Sequence, residues 1–327
     1  MAHSNAPTRR ALLLAVAGTG LLAATAARAA DWPIRPVTCV VSFPPGSGAD
    51  TMARFYARRL QELTKQTFVV ENRPGANSFL AAQAVARAEP DGYTIFFSSS
   101  SPMTTNLVLF KSVPYDPLTD FSPVARTARG TNGIVVAANS PITSIAELVA
   151  AGKKKPNALS YASGSSIYRI ATEWFTQIMG FDALHVPYKG AAPALMDVAG
   201  GQASFAIADI SAVLPLAKGG RLRVLAVSAD RRHPALPDVP TAIEAGVPGF
   251  EYYNWTALYA PAKTPSAVVD QLAALVKRIS EEPETAAFLA KIGGESFFGG
   301  PQELRRYQVA ETEQWKRTAA RAGILPE

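Results

Sequence analysis

Short runs of β-branched and apolar residues alternate with stretches whose apolar positions recur every three to four residues, and the alternation holds through most of the chain. The runs at Val37–Ser42, Phe68–Glu71, Thr94–Ser98, Gly133–Ala138, Leu159–Tyr161, Ala183–Val186, Ser204–Ala208 and Leu222–Ser228 predict eight strands. Between them, Asp50–Leu63 sets Met52, Phe55, Tyr56, Leu60 and Leu63 on one stripe, and Ile167, Ile170, Trp174 and Ile178 mark another helix. The last third changes character, with Pro265–Ile279, Glu284–Ile292 and Pro301–Arg321 all at helical spacing. Strand–helix alternation of this kind predicts an α/β fold with largely parallel sheets. A helix-rich tail is expected to pack back on the first lobe, with the chain crossing between lobes near Ala128–Gly133 and Gly249–Asn254. This gives lobe 1 as residues 30–130 plus 253–327 and lobe 2 as 131–252.

The first 29 residues stand apart from this pattern. Arg9 and Arg10 are followed by uncharged, Ala-rich sequence to Ala27, and Ala27-Arg28-Ala29 fits a small-x-small cleavage rule. An export signal cleaved near Ala29 is therefore expected, by the general secretory or the twin-arginine route, with the mature chain in the periplasm. No later apolar run has the length of a membrane span, and no lipid anchor is expected. Without Arg9, Arg10 and Arg28 the balance is 29 basic against 26 acidic residues, which demands no nucleic acid. Cys39 is the only cysteine, so no internal disulfide can form and stability must come from burial.

Three segments can carry chemistry. The first is Phe43-Pro44-Pro45-Gly46-Ser47-Gly48-Ala49-Asp50, between a strand and an amphipathic helix. Its glycines allow close backbone approach, and the helix start offers unpaired N–H groups suited to a carboxylate. An ordinary strand-to-helix turn capped near Asp50 fits the same residues. A dinucleotide fingerprint fits less well, because Thr51 occupies its third glycine position. The second segment, Ser98 to Ser101, places hydroxyl donors at the end of a strand. The third, Ser163-Gly164-Ser165-Ser166, repeats the logic of the first in the other half of the chain. Two such helix starts facing one another could hold both ends of a diacid. His185 and His233 are the only histidines beyond the signal, so neither a metal site nor a Ser-His-Asp set has a signature. No cofactor or metal is expected, and Cys39 reads as a core residue.

Across Asp31 to the C-terminus, motifs resemble those of the tripartite tricarboxylate transporter receptor (Bug) family, in family order. They include Phe43-Pro-Pro-Gly-Ser-Gly-Ala-Asp, Val70-Glu-Asn-Arg-Pro-Gly-Ala, Pro90-Asp-Gly-Tyr-Thr and Val113-Pro-Tyr-Asp-Pro. Val186-Pro-Tyr-Lys-Gly, Gly201-Gln, Leu236-Pro-Asp-Val-Pro-Thr, Gly246-Val-Pro-Gly-Phe and Ala260-Pro-Ala-Lys-Thr-Pro continue the series. The resemblance implies a two-lobe type II periplasmic-binding fold without catalysis, in which backbone amides, hydroxyls and waters hold a small organic acid between the lobes. It implies a monomer serving a membrane permease, or alternatively a sensor; an exported hydrolase using the serines would need a base near Ser47 or Ser163. By the same resemblance the first-lobe loop maps to Phe43 through Asp50 and the second to Ser163 through Ser166, while Asp209 stands where the family usually has an aspartate; it is expected to tune selectivity toward a ligand bearing an amine or hydroxyl, and capping of the following segment fits the same residue. Ser47, Ala49 and Asn77-Ser78-Phe79 depart from the usual residues, and Arg169 stands where histidine is common. From one turn into its helix, Arg169 is placed either to reach the cleft or to face solvent, the latter being the usual position of arginine.

Overall fold

The computed structural model describes residues 32–327; the expected export signal and its cleavage near Ala29 lie outside the described residues. The chain first lays down β1 (Val37–Val41), α1 (Gly48–Thr64), β2 (Phe68–Asn72), α2 (Phe79–Ala86) and β3 (Thr94–Ser99). A π-helical turn over Ser101–Thr105 runs into α3 (Asn106–Leu109), followed by the long β4 (Phe121–Gly130). Thr131 alone separates β4 from β5 (Asn132–Ala137). The second set continues with α4 (Ile145–Gly152), β6 (Leu159–Ser163), α5 (Ser166–Met179), β7 (Ala183–Pro187), α6 (Ala191–Ala199), β8 (Phe205–Asp209), α7 (Ile210–Lys218) and β9 (Leu222–Val227). The chain then returns through β10 (Asn254–Pro261), α8 (Ser266–Ser280), α9 (Pro283–Ile292), β11 (Gly294–Gly299) and α10 (Pro301–Ala322).

Two sheets result, ordered β11-β4-β10-β3-β1-β2 and β7-β6-β8-β5-β9. Every strand expected from the apolar runs is present, with ends shifted by one or two residues. The sheets are mixed, however, where largely parallel ones were expected. In the first, β2, β1 and β3 run parallel, but β10 pairs antiparallel with both β3 and β4, and β11 antiparallel with β4. In the second, β5 runs antiparallel to both β8 and β9. The strands that escaped the sequence pattern are β4, β10 and β11. Of these, β4 and β11 carry Pro123, Arg126, Arg129 and glycines, and the β4 ladders with β10 and β11 contain register shifts, so apolar alternation is broken where pairing is irregular.

Helices cover both faces of each sheet. On one face of the first, α1 and α8 bury Met52, Phe55, Tyr56, Leu60, Leu272 and Val276 against β1, β3 and β4. Each such fully buried apolar side chain is worth about 1.5–3 kcal/mol. On the other face, α2 and Leu304 of α10 enclose Phe96, Tyr115 and Tyr259. The second sheet is packed by α4 and α5 on one side and by α6 and α7 on the other. Of the C-terminal helices expected to pack on the first lobe, α8 and α9 do so, and only α10 departs from the expectation. Helix α10 starts there with Leu304, but its later residues Trp315 and Ala319 belong to the core of the second sheet, beside Val108 and Leu109 of α3. The apolar stripe of a 22-residue helix is long enough to serve two cores in succession.

Candidate ligand-binding site

The carboxyl ends of β1, β3, β6, β7 and β8 point toward a common space, and each is followed by a helical start: Gly48, Ser101, Ser166, Ala191 and Ile210. First-turn amides have no partner within their own helix and carry the positive end of its dipole. The loop before α1 is set by its own side chains. Gly46 takes φ +82°, a conformation that favours glycine, and the Ser47 hydroxyl caps α1 by accepting from the Asp50 amide at 3.2 Å. Asp50 accepts in turn from the Gly46 amide (2.9 Å), Arg54 Nε (3.0 Å) and Asn72 Nδ2 (2.8 Å). Burial pushes the Asp50 carboxyl up, but donation from Arg54, Gly46 and Asn72 outweighs it and holds it below its ordinary value. Asp50 is thus spent on the shape of the loop.

Between the sheets lies a cavity of about 80 Å³, room for several water-sized groups. Phe43, Ser47, Gly48 and Ala49 of the first loop line it together with Ser99, Ser100 and Ser101, and Ser165, Tyr168, Ala191 and Asp209 face them from the second half. The halves touch across it. A Cβ on Gly48 would come within 3.0 Å of Asp209 Oδ2, one on Gly190 within 3.2 Å of Pro44, and the Ile167 amide reaches Ser101 Oγ at 3.4 Å. Gly164 lets the two second-half loops approach, since a Cβ there would lie 2.3 Å from the Gly190 carbonyl carbon.

Several of the lining polar atoms are buried without a partner: the hydroxyls of Ser99, Ser100 and Ser165 and Asn254 Oδ1. Buried polar atoms are nearly always paired, and these four, three from the first half and Ser165 from the second, converge on one cavity. Charge is sparse on this wall. Arg129 pairs with Glu295 at 2.5 Å and lies 4.2 Å over the Tyr253 ring, leaving amides and hydroxyls as the donors. Asp209 accepts from the Ser211 amide at 2.7 Å and from Asn254 Nδ2, and burial, followed by the charge of Asp209, raises the Tyr168 hydroxyl well above its ordinary value.

Other candidates lie elsewhere. Pro45 and Gly46 are exposed, while Ser98 is buried in the β3 ladder with its hydroxyl turned to the Ser99 carbonyl. Its place on the wall is taken by Ser99 and Ser100, one and two residues further along. Asp50, Gly164 and Ser166 are also outside the lining. Ser163 does have a base beside it, His185 Nε2 at 2.7 Å, but neither residue lines the cavity. Burial, then the Arg169 charge, depresses that imidazole below its usual value. Arg169 faces neither cleft nor solvent: it is mostly buried, bonded to Glu173 at 2.9 Å and to Glu327 at 2.5 Å. Ala191, Ser211, Tyr168 and Asn254 were missed. Only Ala191 had a signal, as the helix start after Val186-Pro-Tyr-Lys-Gly.

The family profile described as "Tripartite tricarboxylate transporter family receptor" matches residues 52–324. A protein from the tcbD-tcbE intergenic region of Pseudomonas sp. strain P51 is 35% identical, covering 94% of this chain and 93% of its own. BugT of Bordetella pertussis is 33% identical over 96% and 97%. Among solved structures, Rhodopseudomonas palustris Rpa4515 with adipate superposes with a TM-score of 0.88 at 38% identity, over 90% of this chain and all of that one. MatC of the same organism, with bound malate, gives 0.83 at 29%, over 88% and 99%. With likeness of this extent in both sequence and fold, the chain belongs to the tripartite tricarboxylate transporter receptor family, a family of solute receptors rather than enzymes.

Proposed function

We propose that this chain is a periplasmic receptor that closes around a small carboxylate and presents it to a membrane permease of the tripartite tricarboxylate class. The observation that carries the reading is the wall of orphaned hydroxyls and helix starts contributed by both halves to one cavity. Amides of Gly48 and Ala49 serve one end of the acid, and that of Ala191, with the Ser165 hydroxyl, serves it from the other half. Because the halves already meet at Gly48–Asp209 and Gly190–Pro44, a guest bound to one loop stabilises the closed pair, and closure is what a permease can distinguish. Asp209 penalises a second negative charge beside it and favours a guest offering a hydroxyl or ammonium donor there. The adipate and malate held by two relatives point to diacids as the first class to try.

Thermal-shift screening of the mature protein against organic acids and amino acids tests this. Micromolar binding at millimolar ligand stabilises by about 4 kcal/mol, a shift of several degrees. If no acid or amino acid moves the melting temperature, the ligand class is wrong; turnover of simple esters would instead bring the Ser163–His185 pair into play.

A further inference from the structure

Behind the cavity wall sits a buried carboxylate that the capture reading does not use. Glu311, on α10 midway between the first-sheet residue Leu304 and the second-sheet residue Trp315, accepts from Trp255 Nε1 at 2.7 Å and lies 3.0 Å from Thr104 Oγ1. No arginine or lysine among the described residues forms an ion pair with it. Trp255 lines the cavity, and the Thr104 hydroxyl is also 2.8 Å from the carbonyl oxygen of Ser100, another lining residue.

That hydroxyl has one proton for two acceptors. With Glu311 ionised, the proton goes to the carboxylate and the Ser100 carbonyl loses a donor. With Glu311 protonated on Oε2, the acid donates to Thr104 Oγ1, and Thr104 turns its own proton to Ser100. The geometry points to Glu311 as a positioning residue whose protonation accompanies ligand capture: an anion entering the cavity draws a proton from solvent onto this carboxylate, and the proton sets Thr104, Ser100 and Trp255 in their ligand-holding arrangement. This inference rests on the carboxylate-capture reading above.

The surroundings supply no competing charge. Tyr307, one turn earlier on α10, and Tyr259 on β10 face the carboxylate, and burial pushes both hydroxyls up, so they stay neutral. Arg126 of β4 lies 4.9 Å from the Tyr307 ring and 4.0 Å from that of Phe297, which is what β11 contributes here. Arg305 is turned away to the Phe121 carbonyl, while Arg169 of α5 is engaged with Glu173 of the same helix and with Glu327 beyond the end of α10. Trp315, one turn later, turns its buried indole N–H toward the same carboxylate. Burial in this setting pushes the Glu311 carboxyl up to about 7, against opposing donation from Trp255, Thr104, Tyr307 and Trp315, so the group titrates in the working range of a periplasmic protein.

The test uses wild type, Glu311→Gln and Thr104→Val. Two of the four tryptophans lie at Glu311, so the emission of the ligand-free protein should step near pH 7 in wild type and stay flat in Glu311→Gln. Titration calorimetry with malate and adipate at pH 7, in two buffers of different ionisation enthalpy, should show uptake of about 0.4 proton per ligand in wild type and none in Glu311→Gln. A lift of about one pKa unit on capture makes wild-type affinity roughly fivefold tighter at pH 6 than at pH 8. Thr104→Val should keep the emission step and lose most of that pH dependence. An identical emission profile in wild type and Glu311→Gln, or equal proton uptake by both, overturns the inference. If neither acid binds, the capture reading fails, and the emission step, which needs no ligand, still decides whether Glu311 titrates against its tryptophans.

Discussion

Ser165→Ala should separate ligand binding from stability. Ser165 is the N-cap of α5, with the extended backbone of a cap, yet its side chain makes no capping bond and its buried hydroxyl has no partner. Removing a working N-cap serine costs about 1 kcal/mol, and Ser144, which caps α4 by accepting from the Glu147 amide at 3.2 Å far from the cavity, is such a cap. Ser144→Ala should therefore lower the melting temperature by about 2–4 °C and leave affinity alone. Ser165→Ala has no cap to lose and relieves an unpaired buried hydroxyl, so the ligand-free melting temperature should hold or rise. Its affinity for the acid should fall by about 10- to 150-fold, the worth of roughly 1.5–3 kcal/mol for a hydrogen bond to a charged group. Denaturation scans of the ligand-free proteins and calorimetry with the acid found by screening give both numbers. Loss of stability with unchanged affinity in Ser165→Ala would falsify the assignment of that hydroxyl to the ligand.

Other substitutions probe other parts of the reasoning. Gly164→Ala places a methyl 2.3 Å from the Gly190 carbonyl carbon and 2.5 Å from the Ala191 amide, so the two second-half loops must part by about 1 Å; an overpacking loss of about 1–3 kcal/mol together with weakened binding is expected in urea titrations and calorimetry. Glu311 has its carboxyl raised from 4.5 to about 7, so its contribution to stability is complete below the unfolded value and is lost as pH rises through 7; relative to wild type, Glu311→Gln should gain up to about 3 kcal/mol in urea midpoints between pH 5 and pH 8. Cys39 is buried with its thiol pushed up to about 12, so thiol reagents at pH 8 should label it only after denaturant is added.

How much could be read from the chain follows from what each element requires of its residues. A strand buried on both faces needs a largely unbroken apolar run, and β1, β3 and β5 announce themselves that way. Strands β4 and β11 interrupt their runs with arginine, proline or glycine, because bulges and cation–ring contacts such as Arg126 over Phe297 replace simple alternation. At the site, glycine- and serine-rich turns after strands were legible since close approach and amide presentation restrict the residue choice. Asn254 and Tyr168 carry no such restriction locally. They reach the cavity only because β10 pairs with β4 across 124 residues of chain, and because α5 turns one face toward Asp209. The choice between Ser98 and Ser99 likewise depended on where β3 leaves the ladder, a matter of its partner Thr256 rather than of its own sequence.

The shared helix at the C-terminus has a consequence for how this protein tolerates damage. Because Leu304 closes one interior and Trp315 and Ala319 close the other, a premature stop after residue 300 opens both at once. Neither half can be produced as a free-standing cassette from its continuous stretch of gene, and a protease cut in the long connection between β9 and β10 should leave the fragments clasped together until the tail itself unravels.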